Sequence, residues 1–275
     1  MANDWVCKDP RADDHHLRSA SVQRAGGCAA ISNVVFPEPG QRLRSYCFET
    51  SANLLEIKSV LFPEHGQMRS RKVVSRSNAR SAGKYPSWKM GRMMHWESSN
   101  ELNAFRLLDC DPNVTSYSEQ PCQITYIMDG VERIHYPDIL VTTAGTKQLW
   151  EVEPRSKALE PEVLARTALL SRALPRWGYA YNVTFAEDLA RQPSLGNSTL
   201  LLSLGKRAVS NCEWENVRRT VAEQGSLVWS EACAGNYGRN GREILCSLVL
   251  RGALTIDMNL PISSATAFTA RKGGL

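Results

Sequence analysis

The sequence predicts an α/β fold, an α/β sandwich followed by a smaller helix-and-hairpin module. Three features carry that reading. Over residues 97–109, Leu102, Phe105 and Leu108 fall on one helical face, and Asp111, Pro112 and Asn113 stop the helix. Strand-like runs follow at 123–128, 131–141 and 147–152, separated by Asp129-Gly130 and Ala144-Gly145, and suggest an antiparallel meander. Helical spacing returns over 160–174, through Leu164, Ala168 and Leu169, before alternation over 179–185 predicts another strand.

Composition sets the outer bounds. Of 275 residues, 43% are hydrophobic and 22% charged, which excludes a chain disordered throughout. No run of 18 uncharged apolar residues is present, and the N-terminus lacks the basic-then-apolar layout of a signal peptide. A cytoplasmic chain without membrane association is expected. The eight cysteines (Cys7, Cys28, Cys47, Cys110, Cys122, Cys212, Cys233, Cys246) form no Cys-x-x-Cys pair and read as reduced packing thiols.

The net charge of +5 is modest, but its distribution is uneven. Residues 69–92 hold eight basic side chains (Arg69, Arg71, Lys72, Arg76, Arg80, Lys84, Lys89, Arg92) and no acid, interleaved with Tyr85 and Trp88. Such a segment suits a phosphate backbone, with a solvated linker as the other reading. Upstream, Gly26-Gly27, Pro37, Pro39-Gly40 and Pro63 interrupt any period, so residues 1–67 read as an extension lacking regular structure, save that 53–61 suits a short helix. Met68 offers an alternative start. Three regions are therefore expected: 1–67, a core domain at 68–198, and a second module at 199–275. That module closes with a helix from Gly241 to Leu250 feeding a short hairpin, as in a winged helix, and residues 270–275 read as a loose tail.

The chemistry concentrates in Tyr136-Pro137-Asp138 and Trp150-Glu151-Val152-Glu153-Pro154. A hairpin brings Asp138 beside Glu151, alternation puts Glu151 and Glu153 on one face, and the Val152 carbonyl is a natural hard-cation ligand. Glu97 and Glu101 share a face of the preceding helix, which lies against this sheet if the acids are to cluster. Gathered carboxylates recruit a cation, and oxygen-only donors select Mg²⁺ or Mn²⁺. Beside a basic surface that chemistry is phosphodiester hydrolysis. The other reading of Asp138 and Glu151 is ordinary exposed strand positions. His135 falls on the face of Pro137 rather than that of Asp138 and reads as structural, and His95, at the helix start, reads as a DNA contact or a structural cap rather than a base or ligand. Gln120 reads as a strand-entry residue within side-chain reach of the acids.

The block from Arg71 to Pro154 resembles the catalytic domain of the TnsA-type endonucleases, nuclease subunits of heteromeric transposases. The matching pieces are Arg71-Lys72-Val73, Gly83-Lys84-Tyr85-Pro86-Ser87, Lys89-Met90-Gly91-Arg92, His95-Trp96-Glu97-Ser98-Ser99-Asn100-Glu101, Leu107-Leu108-Asp109, Asp111-Pro112-Asn113-Val114, Glu119-Gln120-Pro121, Tyr136-Pro137-Asp138 and Trp150-Glu151-Val152-Glu153-Pro154. The resemblance implies a restriction-endonuclease-like fold, a central mixed sheet flanked by helices. It implies cleavage of transposon 5′ ends beside an integrase-like transposase and an ATPase regulator. Glu101, Asp138 and Glu151 fall on its metal ligands, with Glu97 supporting.

One departure stands out. Glu153 occupies the position of the family's usual Lys. Glu153 then serves as base or extra ligand, Arg155 or Lys157 supplies the charge, or the site is inactive. A restriction or repair nuclease and a non-catalytic assembly subunit are the alternative functions.

Overall fold

A computed structural model describes residues 42–50, 53–64, 67, 69–70 and 82–274. The first two strands, β1 (Arg42–Thr50) and β2 (Asn53–Leu61), pair antiparallel, and β2 continues onto β6 (Gln123–Met128). The helix expected over 53–61 is therefore a strand, and sheet pairing reaches upstream of residue 68. The helix-like spacing of Ile57 and Val60 has a physical cause: a register shift between Ile57 and Ser59 lets both bury on one face.

Between them, β3 (Gly83–Ser87) and β4 (Arg92–Trp96) form a hairpin where the sequence reads as a basic arm or linker. Gly83 is required there, because a Cβ at that position would lie 2.5 Å from the Trp96 ring. Helix α1 (Ser99–Cys110) follows as expected, its N-terminus capped by Ser98, whose Oγ accepts from Glu101 N–H at 3.2 Å. The chain then adds a strand without strong alternation, β5 (Val114–Glu119).

The 131–141 run is not one strand. It divides into β7 (Val131–His135) and β8 (Ile139–Thr143), which belong to different sheets. Tyr136-Pro137-Asp138 is the crossing, where proline has no N–H to give to a ladder. The β6–β7 turn is as predicted, with Asp129 and Gly130 at φ 56° and 74°.

After β9 (Lys147–Glu153) come the short helix α2 (Arg155–Ala158), then α3 (Pro161–Ala173) and β10 (Tyr179–Phe185), which lies parallel to β9. The result is two four-stranded sheets, ordered β1-β2-β6-β7 and β10-β9-β8-β5, the second of mixed direction. Leu149, Tyr179 and Tyr181 pack with Ile57, Ile124 and Leu170 on one side of the mixed sheet. Ile139, Val141 and Val152 pack with Phe105 and Leu108 of α1 on the other.

The remainder comprises α4 (Ala186–Leu189), α5 (Ser194–Leu204), α6 (Asn211–Gln224), β11 (Ser226–Val228), α7 (Trp229–Ala234), α8 (Gly241–Leu250), β12 (Leu254–Thr255) and β13 (Ala267–Ala270). Its three short strands pair antiparallel in the order β11-β13-β12. A core of Leu201, Leu245, Leu248, Leu227 and Phe268 extends to Cys110 on α1. The expected loose tail is anchored as far as Gly274: Arg271 N–H donates to Ala253 O at 2.9 Å, and its guanidinium to Asn113 at 2.6 Å. No helix among the described residues is long and apolar enough to cross a membrane.

Candidate active site

Asp138 sits at the entry to β8, fastened at three points. Its N–H donates to Trp150 O at 3.0 Å, its carbonyl accepts from Gln120 N–H at 2.9 Å, and its Oδ2 accepts from Val152 N–H at 2.7 Å. Burial, then the charges of Glu151 and Glu101, push its carboxyl well above the ordinary carboxylate range, against the Val152 hydrogen bond that lowers it. Glu153 raises it further. Asp138 thus lies within electrostatic reach of Glu151, Glu101 and Glu153.

The four do not form one ready-made cage. Among the described residues, no group of three His, Cys, Asp or Glu side chains is arranged to hold a metal ion. Alternation along β9 explains part of this. Trp150 and Val152 face α1, whereas Glu151 and Glu153 share the opposite face with Leu149. Glu101 projects from α1 and is turned back on its own helix start, its Oε2 accepting from Glu97 N–H and its Oε1 from Ser98 Oγ, both at 3.0 Å. Glu97 therefore supports Glu101 through its backbone. Val152 meets Asp138 through its N–H.

Glu151 is buried and enclosed by residues that the sequence did not assign to the site. Arg166 Nη2 donates to its Oε1 at 3.0 Å, and His135 Nε2 approaches its Oε2 at 3.1 Å while lying 3.0 Å from the Tyr181 hydroxyl. This corrects the placement of His135, which turns toward Glu151 because the strand run breaks after it. No local signal marks Arg166, whose partner is 15 residues away across a helix–sheet interface. Oε2 of Glu151 accepts no hydrogen bond among the described residues. A buried carboxylate oxygen left in that state, beside Asp138, has the donor chemistry a hard cation takes.

Glu153 is buried too, and Lys157 of α2 reaches its Oε1 at 2.5 Å. Of the two cations expected to replace the missing Lys, only Lys157 is next to the acids. Arg155 is engaged elsewhere, with its guanidinium 2.7 Å from Asp188 and 4.2 Å above the Phe185 ring.

The basic segment divides as well. Arg71, Lys72, Arg76 and Arg80 lie outside the described residues. Lys84 is exposed on β3. Arg92 grips the buried Glu119 through two bonds of 3.0 and 2.7 Å, with Arg69 3.7 Å away. Lys89 is half-buried, and its Nζ donates to Leu108 O at 2.7 Å and to Asp111 O, closing the C-terminal end of α1, while burial lowers its pKa. Gln120 is buried and serves Asp138 through its backbone.

Several quoted motifs turn out to be scaffold. Asp109, fully buried at the end of α1, accepts from Tyr85 at 2.7 Å, Ser87 at 2.6 Å, Tyr117 at 2.8 Å and Trp88 N–H at 2.9 Å. The β3–β4 hairpin is thereby locked to the helix that carries Glu101.

The site is thus a mixed sheet, packed against α1 and α3, whose carboxylates are drawn toward one strand entry. Comparison with known families makes this particular: residues 111–184 match the model described as TnsA-like endonuclease N terminal. The chain thus carries a domain of the TnsA endonuclease type, and the matched stretch includes Asp138, Glu151 and Glu153. No curated protein matches the chain.

Proposed function

We propose that this chain is a metal-dependent DNA endonuclease subunit of a transposase, cutting the 5′ ends of a transposon beside an integrase-like transposase and an ATPase regulator. The observation that carries the proposal is Asp138, held by Val152 N–H at the point where the charges of Glu151, Glu101 and Glu153 meet. Asp138 and Glu151, with Glu101 once released from its cap, are the residues that would hold Mg²⁺ or Mn²⁺. Bound there, such an ion would neutralise charge on the scissile phosphate and acidify water. Glu153 would orient water, and Lys157, whose ammonium reaches its Oε1, would supply positive charge beside it. Lys84, Arg92 and Arg69, together with Arg71, Lys72, Arg76 and Arg80, would follow the DNA backbone. The order α6, β11, α7, α8, β12, β13 is what a winged-helix module for DNA or partner docking would show.

A strand-resolved cleavage assay on transposon-end duplexes in Mn²⁺, with and without the partner transposase, tests the reading. Nicks confined to the 5′ ends and lost in Asp138→Ala are expected. Cleavage at ends and unrelated DNA alike would favour a restriction or repair nuclease. End binding without cleavage or metal uptake would favour a non-catalytic assembly subunit.

A further inference from the structure

Beyond Glu153, β9 carries no cation that could stand in for the Lys of the resemblance; the strand ends there, and Pro154 follows. A buried cation does stand beside the acids, but it arrives from α3. Arg166 and Glu151 have side chains only 14% and 9% exposed, and their contact is 3.0 Å. The hydroxyls of Tyr181 and Tyr126 lie beside the same guanidinium, and His135 fills the far side of the carboxylate. These enclosing side chains come from β6, β7, β10 and α3, so Glu151 is held by elements distant in sequence.

Such a pair is built for placement. An ionised carboxylate buried next to another acid needs a counter-charge, and a guanidinium supplies it with a planar fork that restricts the carboxylate's orientation. Arg166 engages Oε1, and Oε2 faces His135 Nε2 at 3.1 Å. We propose that Arg166 is a positioning residue that fixes the orientation of the Glu151 carboxylate beside Asp138. The proposal rests on the nuclease reading for its purpose, but the holding of Glu151 can be measured without metal.

The experiment uses the full chain and the variants Arg166→Met, Arg166→Lys and Glu151→Gln, alone and combined. In the metal-free protein, the side-chain carboxyl ¹³C resonance of Glu151 is expected to move in Arg166→Met and largely return in Arg166→Lys. An unmoved resonance overturns the proposal. By calorimetry with Mn²⁺ as the probe, Arg166→Met should weaken binding about 10- to 100-fold, the usual effect of losing an outer partner. The same substitution should add nothing in the Glu151→Gln background. Equal loss in both backgrounds overturns the proposal, because Arg166 would then act without Glu151. If Arg166→Met fails to fold, Arg166→Gln and Arg166→Lys take its place in the same cycle. Identical Mn²⁺ binding by the wild type and Asp138→Ala would defeat the nuclease reading, while the carboxyl resonance would still decide whether Arg166 holds Glu151.

Discussion

Val152 N–H donates to Asp138 Oδ2 at 2.7 Å, and this one bond ties the entry of β8 to the middle of the Glu151-Val152-Glu153 run on β9. The two strands therefore present their acids at a fixed offset, whatever the outer loops do. Because the donor is backbone, only the acceptor side is open to mutation.

That asymmetry separates structure from chemistry at Asp138. Asp138→Asn keeps an oxygen for Val152 and removes a charge disfavoured by burial and by Glu151 and Glu101. Its melting temperature should stay within about 3 °C of the wild type or rise, while cleavage in Mn²⁺ falls by more than about 100-fold. Asp138→Ala should lose cleavage and also about 1–3 kcal/mol, because the Val152 N–H loses its acceptor. Thermal melts beside a nicking assay check both; near-normal cleavage by the Asn variant would remove Asp138 from the chemistry.

Lys157 should matter more to rate than to stability. Its side chain is 54% exposed, so the pair with Glu153 contributes no more than about 1 kcal/mol. Lys157→Met is expected to slow cleavage about 10-fold or more with little change in melting. Should the wild type fail to cut and Glu153→Lys restore activity, the pocket has lost its chemistry by that single exchange.

Asp109 should behave in the opposite way. Three hydroxyls and two backbone N–H groups converge on its fully buried carboxylate, and Asp109→Ala takes that shared acceptor from them. A loss of about 3–5 kcal/mol is expected in denaturant unfolding. Tyr85→Phe, which removes one donor, should cost about 1 kcal/mol. A small effect of Asp109→Ala would mean that the hairpin is held by its apolar contacts alone.

The second module offers a pH test remote from the acids. Glu213 closes the capping box of α6, accepting from Ser210 N–H at 2.8 Å, and that bond, with Arg207 beside it, lowers its pKa below the usual 4.5. A folded-state pKa lowered in this way contributes stability above the unfolded value and loses it as pH falls through the folded one. Glu213→Gln should therefore cost about 0.3–1 kcal/mol at pH 7 and nothing near pH 2. A penalty unchanged by pH would show that shape, rather than charge, makes the cap.

Local periodicity was sufficient for α1, the β6–β7 turn, α3 and β10, since each satisfies one repeat within its own residues. It failed over 53–61, where the register shift at Ile57 and Ser59 gives a strand the spacing of a helix. It failed again over 131–141, where apolar character continues through a proline that hands the chain from one sheet to the other. At the site, Asp138, Glu151 and Glu153 were legible because strand alternation and a hairpin relate them directly. Arg166, His135 and Tyr181 were not, because their relation to Glu151 exists only once α3, β7 and β10 have packed. The partners of Lys89 and Arg92 were hidden for the same reason: composition counts a positive charge but cannot reveal the carbonyls or the carboxylate that engage it.

By itself, the sequence determined which acids could meet and what they could bind, because side-chain chemistry and two-residue alternation are properties of the chain alone. Folding decided which cations reached those acids and which were consumed by the scaffold. It also turned Glu101 onto its own helix cap and set Arg166 against Glu151. Those outcomes depend on burial and on distances between elements far apart in the chain, which no window of neighbouring residues contains.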